Sequence, residues 1–162
     1  MTIRPSEIRD IPDLMKIYDS ARNYMRSRGN TVQWVNGYPS EDLVRSDIEN
    51  GYGYVIEEQG EICGCFAFII GEDPTYLKIE DGEWLSPGKA YGTIHRIGSS
   101  GSVPGILGEA LKFCSSKIDN IRIDTHEMNH VMQNLMDKNG FTRCGIIYIS
   151  DGTPRIAYQK LY

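Results

Sequence analysis

The stretch that most constrains this chain is His95–Gly108, HRIGSSGSVPGILG. It starts as a strand-like run, passes through a loop of almost nothing but Gly and Ser, and ends at Pro104-Gly105, where an apolar-periodic helix begins. A strand, a small-residue loop and a helix N-terminus bring backbone N–H groups together around an anion. Glycines let the main chain approach a phosphate closely, and the helix dipole favours its charge. The stretch therefore reads as a site for a phosphate-bearing cofactor, the alternative being an ordinary strand–loop–helix connection.

The periodicity around this stretch gives the order of elements. Thr2 to Ser6 reads as a short strand. Asp10 reads as a helix N-cap, with Pro12 in the first turn and Ile11, Leu14, Met15, Tyr18, Ala21 and Met25 along one face until Gly29. The segment Gly29–Pro39 is irregular and carries Trp34 and Tyr38, as either a lid over a pocket or a loop stapled to the core. Ser40 caps a second helix with Leu43, Val44 and Ile48, ended by Gly51. Tyr52–Glu58 and Glu61–Ile70 form a hairpin about Gln59-Gly60, and Tyr76–Glu80 with Glu83–Leu85 a smaller one about Asp81-Gly82. A strand from about Ala90 to Gly98 leads into the loop. The helix after it buries Ile106, Leu107, Ala110, Leu111 and Cys114. Asn120–Thr125 is a strand, and Asn129–Asn139 a helix with Val131, Met132, Leu135 and Met136 inward and Gly140 just past its end. Two final strands, Phe141–Ile149 and Pro154–Leu161, flank Ser150–Thr153.

This order predicts one domain over residues 1–162 with an α+β (mixed α/β) fold around one sheet. The strands on either side of the central helix should be parallel neighbours, with a ligand beyond their C-terminal ends. A net charge of −5 argues against a nucleic-acid partner, and no apolar run reaches the roughly 20 residues of a membrane span. Met1–Pro5 shows no signal-peptide core, so the expected location is cytoplasmic. Cys63, Cys65, Cys114 and Cys144 sit in apolar runs without a CxxC pair and read as reduced core thiols.

His126-Glu127-Met128-Asn129-His130 matches the HExxH pattern of zinc hydrolases. That chemistry needs both histidines on one helical face and a third ligand downstream. Here His126 follows a strand, and only Asp137 or Asp151 could serve as the third ligand, at no familiar spacing. A zinc hydrolase on His126 and His130 is the weakest of three readings, and no metal is expected. No Lys-Ser or Lys-Thr follows the loop glycines and no GxGxxG opens the chain, so neither a nucleotide-triphosphate loop nor a dinucleotide fold is supported.

The order of elements, the phosphate-type loop before the third helix, and Asn129…Leu135…Lys138-Asn139-Gly140-Phe141 resemble a GNAT-type N-acetyltransferase. The run Asn139-Gly140-Phe141…Cys144-Gly145-Ile146-Ile147-Tyr148 adds to the likeness. His95-Arg96-Ile97 and Asp124-Thr125-His126 resemble a bacterial subgroup of mostly uncharacterised members. The resemblance covers essentially the whole chain. It implies an acyl-CoA N-acyltransferase fold, with six or seven strands in a mixed sheet flanked by about four helices. It also implies acetyl-CoA (coenzyme A) as co-substrate. The family's loop motif, Arg/Gln-x-x-Gly-x-Gly/Ala, falls on Ser102, Gly105 and Leu107, and only Gly105 matches. The implied pyrophosphate contacts are loop amides of Gly101, Ser102, Val103, Gly105, Ile106 and Leu107. The cofactor arm is implied to pair with the strand at His95 and Ile97 and to touch Asn129. An N–H of Ile97 or Gly98 would polarise the thioester carbonyl. Met136 stands where many members carry the tyrosine that protonates the departing thiolate, so Tyr148, Tyr158 or solvent must do so, or the thiolate leaves unassisted.

The reaction so implied is direct attack of a primary amine, on a small molecule or a peptide, with a general base. His126 is the first candidate, a helix cap or a partner of Asp124 being its other reading. His95 is second, or else a structural strand residue. Glu57 and Glu83 could act through water, and are otherwise solvated. Trp34, Tyr38, Tyr148 and Glu83 are the candidate contacts to the acceptor. The rival reading is a non-catalytic acyl-CoA-binding module of the same fold, favoured by Ser102, Leu107 and Met136. The identity of the acceptor is not written in the sequence. Nor is the oligomeric state, a homodimer being the commonest soluble assembly.

Overall fold

The computed structural model describes residues 1–162. The strands are β1 (Thr2–Pro5), β2 (Gly53–Glu58), β3 (Glu61–Ile70), β4 (Gly92–Ser99), β5 (Asn120–Thr125), β6 (Thr142–Tyr148) and β7 (Pro154–Leu161). The helices are α1 (Ile11–Ser27), α2 (Glu41–Glu49), α3 (Ile106–Ser115) and α4 (His130–Lys138). One seven-stranded sheet runs β1-β2-β3-β4-β5-β7-β6. This is the α+β fold that the order of elements predicts.

Alternation along the central strands separates two cores. Val55 and Cys65 point to a cluster with Ile11, Leu14, Ile17, Tyr18 and Val44, under α1 and α2. Their neighbours Ile56 and Phe66 point to the opposite face, where Ile106, Ala110, Leu111 and Cys114 of α3 and Met136 of α4 are buried. All four cysteines are free and buried. Ser40 caps α2 by accepting from the Leu43 N–H at 3.2 Å. Asp10 precedes α1, but its carboxylate does not cap that helix. It accepts instead from the Glu7 N–H at 2.7 Å and from both terminal nitrogens of Arg4 at 2.8 and 3.0 Å.

The second hairpin expected around Asp81-Gly82 does not form. Pro74–Tyr76 is a 3-10 turn, and Glu80 bridges to Ile146 of β6 instead of pairing with Glu83–Leu85. The reason is a tertiary core that the segment itself builds. Tyr76, Trp84 and Tyr91 turn inward onto Cys144, Ile147 and Ala157. The Trp84 Nε1–H donates to the Tyr76 carbonyl at 2.9 Å, and the Leu85 N–H donates to the Gln159 Oε1 at 2.7 Å. Arg122 lies between the Trp84 and Tyr91 rings, 4.0 and 3.9 Å from their centroids. With these partners available, a local ladder is not needed to satisfy the backbone.

β4 and β5 are adjacent and parallel, connected through α3. Their ladder holds only Gly92↔Ile121 and Thr93↔Arg122. Beyond these two pairs the strands part, and the sheet opens toward their C-terminal ends.

Candidate active site

The loop of the opening stretch reaches α3 through Gly105, which is its N-cap at φ 87°, a left-handed conformation that a side chain disfavours. Gly105 offers no side chain to cap the helix, so the first N–H groups of α3 have no acceptor within the helix or at the cap. Ile106 and Leu107 turn their side chains into the core. Leu107 thus keeps its bulk away from the loop face although it replaces a small residue of the motif. Upstream, Ser99 Oγ accepts from the Gly101 N–H at 3.1 Å and Ser100 Oγ from the Ser102 N–H at 3.2 Å. Those two amides are engaged within the loop.

The parting of β4 and β5 opens a cavity of about 830 Å³. Ile94, His95, Arg96 and Ile97 of β4 line one side, and Ile123, Asp124 and Thr125 of β5 with His126 and Asn129 the other. The α1–α2 loop contributes Val32 to Asn36 and Tyr38, and the β6–β7 connection contributes Ile149, Ser150, Asp151 and Thr153. β4 carries a bulge here. The β3–β4 register shifts between Cys65 and Ala67, and Arg96 takes φ 52°. The bulge is held from the helical side. Tyr18 Oη donates to the Arg96 carbonyl at 3.0 Å, and the Arg96 guanidinium binds both oxygens of Asp47 at 2.8 and 2.7 Å.

Beside Arg96, which is tied to Asp47, and Asp151, whose Oδ1 accepts from the Thr153 hydroxyl, two sets of ionisable groups face the cavity. His95 Nε2 lies 2.9 Å from Asp73 Oδ2. Burial opposes ionisation of Asp73, but the His95 ring and the Thr75 hydroxyl and N–H outweigh it and hold the carboxyl down to about 2. Asp73 is therefore a carboxylate at neutral pH, and accepts the proton of His95 Nε2. That leaves His95 Nδ1 as the nitrogen with a lone pair, and it has no hydrogen-bond partner. The second set holds Asp124, His126 and Arg155. Burial pushes Asp124 up, against the hydrogen bond that Tyr76 Oη donates to its Oδ2 at 2.6 Å. Burial and the positive Arg155 lower His126, which is neutral at pH 7. His126 Nδ1 accepts from the Met128 N–H at 3.0 Å, so its proton resides on Nε2.

The sequence-predicted residues divide accordingly. His95, Ile97, His126, Asn129, Trp34 and Tyr38 line the cavity. Trp34 combines both readings of its loop, packing edge-on against Tyr18 at 5.6 Å while facing the cavity. Asn129 caps α4 through the Met132 N–H at 3.1 Å and donates to Gln33 Oε1 at 3.0 Å. Tyr148 and Glu83 do not line the cavity. Tyr148 Oη donates to Glu80 Oε2 at 2.9 Å on the exposed end of β6, and Glu83 is exposed on the Gly71–Tyr91 segment. Tyr158 is enclosed in the α3–α4 core, and Glu57 is ion-paired to Arg4 at 2.8 Å. His126 does not pair with Asp124, and it precedes α4 whereas His130 begins it, so the two do not share a helical face. Sequence reasoning missed Asp73, Gln33 and Arg155. Asp73 lies in the sequence between the two expected hairpins, where no periodic pattern marks it, and only the tertiary structure brings it to His95.

No family model matches the chain, and no curated protein matches it. Solved structures do. An acetyltransferase of the GNAT family from Streptococcus agalactiae is 32% identical, covers 99% of this chain and 95% of its own, and superposes with a TM-score of 0.90. A putative acetyltransferase from Staphylococcus aureus is 22% identical over 99% of both chains, with a TM-score of 0.72. A GNAT-family acetyltransferase from Listeria monocytogenes is 19% identical over 99% of this chain and 94% of its own, with a TM-score of 0.71. The last two bear on the fold alone. The first, similar along the whole chain and built on the same mixed sheet, carries the assignment: this chain belongs to the GNAT family of acetyltransferases.

Proposed function

We propose that this chain transfers an acetyl group from acetyl-CoA to a primary amine by direct attack of the amine on the thioester. The observation that carries this reading is the parting of β4 and β5 after Thr93 and Arg122, with a cavity between them that ionisable side chains line. Acetyl-CoA, when bound, supplies the activated acetyl thioester. The free edge of β4 from Ile94 onward offers backbone groups to an extended arm, and the N–H of Ile97 would polarise a carbonyl there, whereas Gly98 is paired with Cys65 of β3. The uncapped start of α3, with Gly105, Ile106 and Leu107, suits a pyrophosphate, because helix dipole and free amides act together.

His95 is the base favoured for the amine. Asp73 orients its ring through Nε2 and leaves Nδ1 to receive a proton. His126, the first candidate from sequence, presents Nε2–H while Nδ1 is engaged by Met128, which favours a hydrogen-bond donor over a base. With Met136 buried and Tyr148 tied to Glu80, neither side chain is placed to protonate a departing thiolate, and solvent would supply that proton.

Calorimetry with acetyl-CoA, followed by thiol release over a panel of amines, tests the reading. Binding and turnover are expected. His95→Gln is expected to lower kcat by about 100-fold or more with acetyl-CoA binding retained. His126→Ala should lower it less. Absence of acetyl-CoA binding at millimolar concentration would overturn the proposal. Binding without turnover of any amine would leave a binding module of the same fold.

A further inference from the structure

The amine-transfer reading leaves one buried cation in the cavity without a task or an ion-pair partner. Arg155, the second residue of β7, is only 6% exposed and lines the cavity. The other inward-facing arginines have partners that offset the cost of burial. Arg4 binds Asp10 and Glu57, Arg96 binds Asp47, and Arg122 sits between two aromatic rings. Arg155 has neither a carboxylate within ion-pair distance nor a ring over its guanidinium. Only its Nη1 is engaged, donating to Thr153 Oγ1 at 3.0 Å and to the Pro154 carbonyl at 2.8 Å. A buried guanidinium keeps its charge, and its fork fits a carboxylate in two parallel hydrogen bonds.

Asp124 is the matching negative group. It opposes Ala157 across the β5–β7 ladder, and Arg155 lies two residues before Ala157. Asp124 and Arg155 are therefore diagonal neighbours on one face, a spacing of about 7–8 Å that long side chains reach across. Tyr76 occupies Oδ2 of Asp124, while Oδ1 has no hydrogen-bond partner. The cavity thus offers a free carboxylate oxygen and a free guanidinium edge side by side.

We infer that the acceptor is a free amino acid, an amine that carries its own carboxylate, with Arg155 binding the carboxylate and Asp124 receiving the ammonium group. This rests on the amine-transfer reading above and narrows its substrate class. Once the ammonium is seated, His95, on the other wall of the same cavity, would take its proton before attack.

The test is acetyl-CoA-dependent thiol release with the twenty protein L-α-amino acids and, in parallel, their carboxamides, which keep the amine and side chain but lose the negative charge. At least one amino acid is expected to exceed its carboxamide in kcat/KM by about 10- to 100-fold. Arg155→Gln is expected to abolish that preference through KM. Where Arg155→Gln does not fold, Arg155→Lys carries the test, since it keeps the charge and loses the fork, and a raised KM for the amino acid is again expected. Carboxamides used as well as amino acids, or a preference that survives the Arg155 variants, would overturn the inference while leaving amine transfer standing. Turnover of no amine of either kind would overturn the transferase reading, and this inference with it.

Discussion

Asp73 has an acidity set wholly by groups that other elements bring to it. It titrates near 2 in the folded chain against an ordinary 3.8, because His95 and Thr75 stabilise the carboxylate more than burial disfavours it. The fold therefore favours the ionised form. The stability Asp73 contributes is complete above its unfolded pKa and is lost as pH falls through about 2. A shift of this size corresponds to about 2 kcal/mol. Urea unfolding of the wild type and of Asp73→Asn should differ by about that amount at pH 6, and by about half of it at pH 3. A gap that does not change with pH would mean that the carboxylate charge is not what the fold uses. The pairing also fixes which nitrogen of His95 is free, so the same substitution should lower turnover.

Among the elements, the Gly71–Tyr91 segment has the most to do with placing the site. It delivers Asp73 to His95 and Tyr76 to Asp124, and it is held against β6 at a contact that only glycine permits. A Cβ on Gly82 would lie 1.8 Å from the Cys144 carbonyl oxygen and 2.9 Å from its carbon. Both are backbone atoms and cannot turn aside. Gly82→Ala should therefore destabilise by about 2–4 kcal/mol. Gly88→Ala is the control, since its Cβ would meet nothing within 4 Å and only its φ of +79° is disfavoured. About 1–2 kcal/mol is expected there. Equal losses at the two positions, measured by urea unfolding, would show that the packing on β6 is not what holds the segment.

At the scale of the whole molecule, the sheet is two halves, β1–β4 and β5–β7, whose shared ladder is two residue pairs long. Side-chain links across the opening are few. Gln33 ties the α1–α2 loop to Asn129 at 3.0 Å, and Tyr76 crosses to Asp124. A ligand lying along the free edge of β4 would add contacts that the unfolded chain lacks. Such a ligand at a hundred times its dissociation constant stabilises by about 2.7 kcal/mol, or about 5–10 °C in Tm for a chain of this size. Thermal unfolding with and without saturating acetyl-CoA should show that rise, and no shift at millimolar ligand would count against binding in the opening.

Local chemistry was enough to read much of this protein. The periods of 3.6 and 2, the Ser40 cap and the glycine breaks are interactions among near neighbours, so all four helices and all seven strands are legible in the chain. So is the glycine-bearing connection into α3, because its conformation depends on Gly105 itself. The Asp81-Gly82 turn was read wrongly, since its backbone finds partners on β6 and β7 that no local pattern records. The site was legible only in part. His95, His126 and Asn129 stand at strand and helix ends, where the crossover rule puts a ligand. Asp73 meets His95, and Asp124 comes beside Arg155, only through contacts between residues tens of positions apart. Which histidine nitrogen is free, and which buried charge has no partner, depends on long-range contacts, and only the tertiary structure decides those.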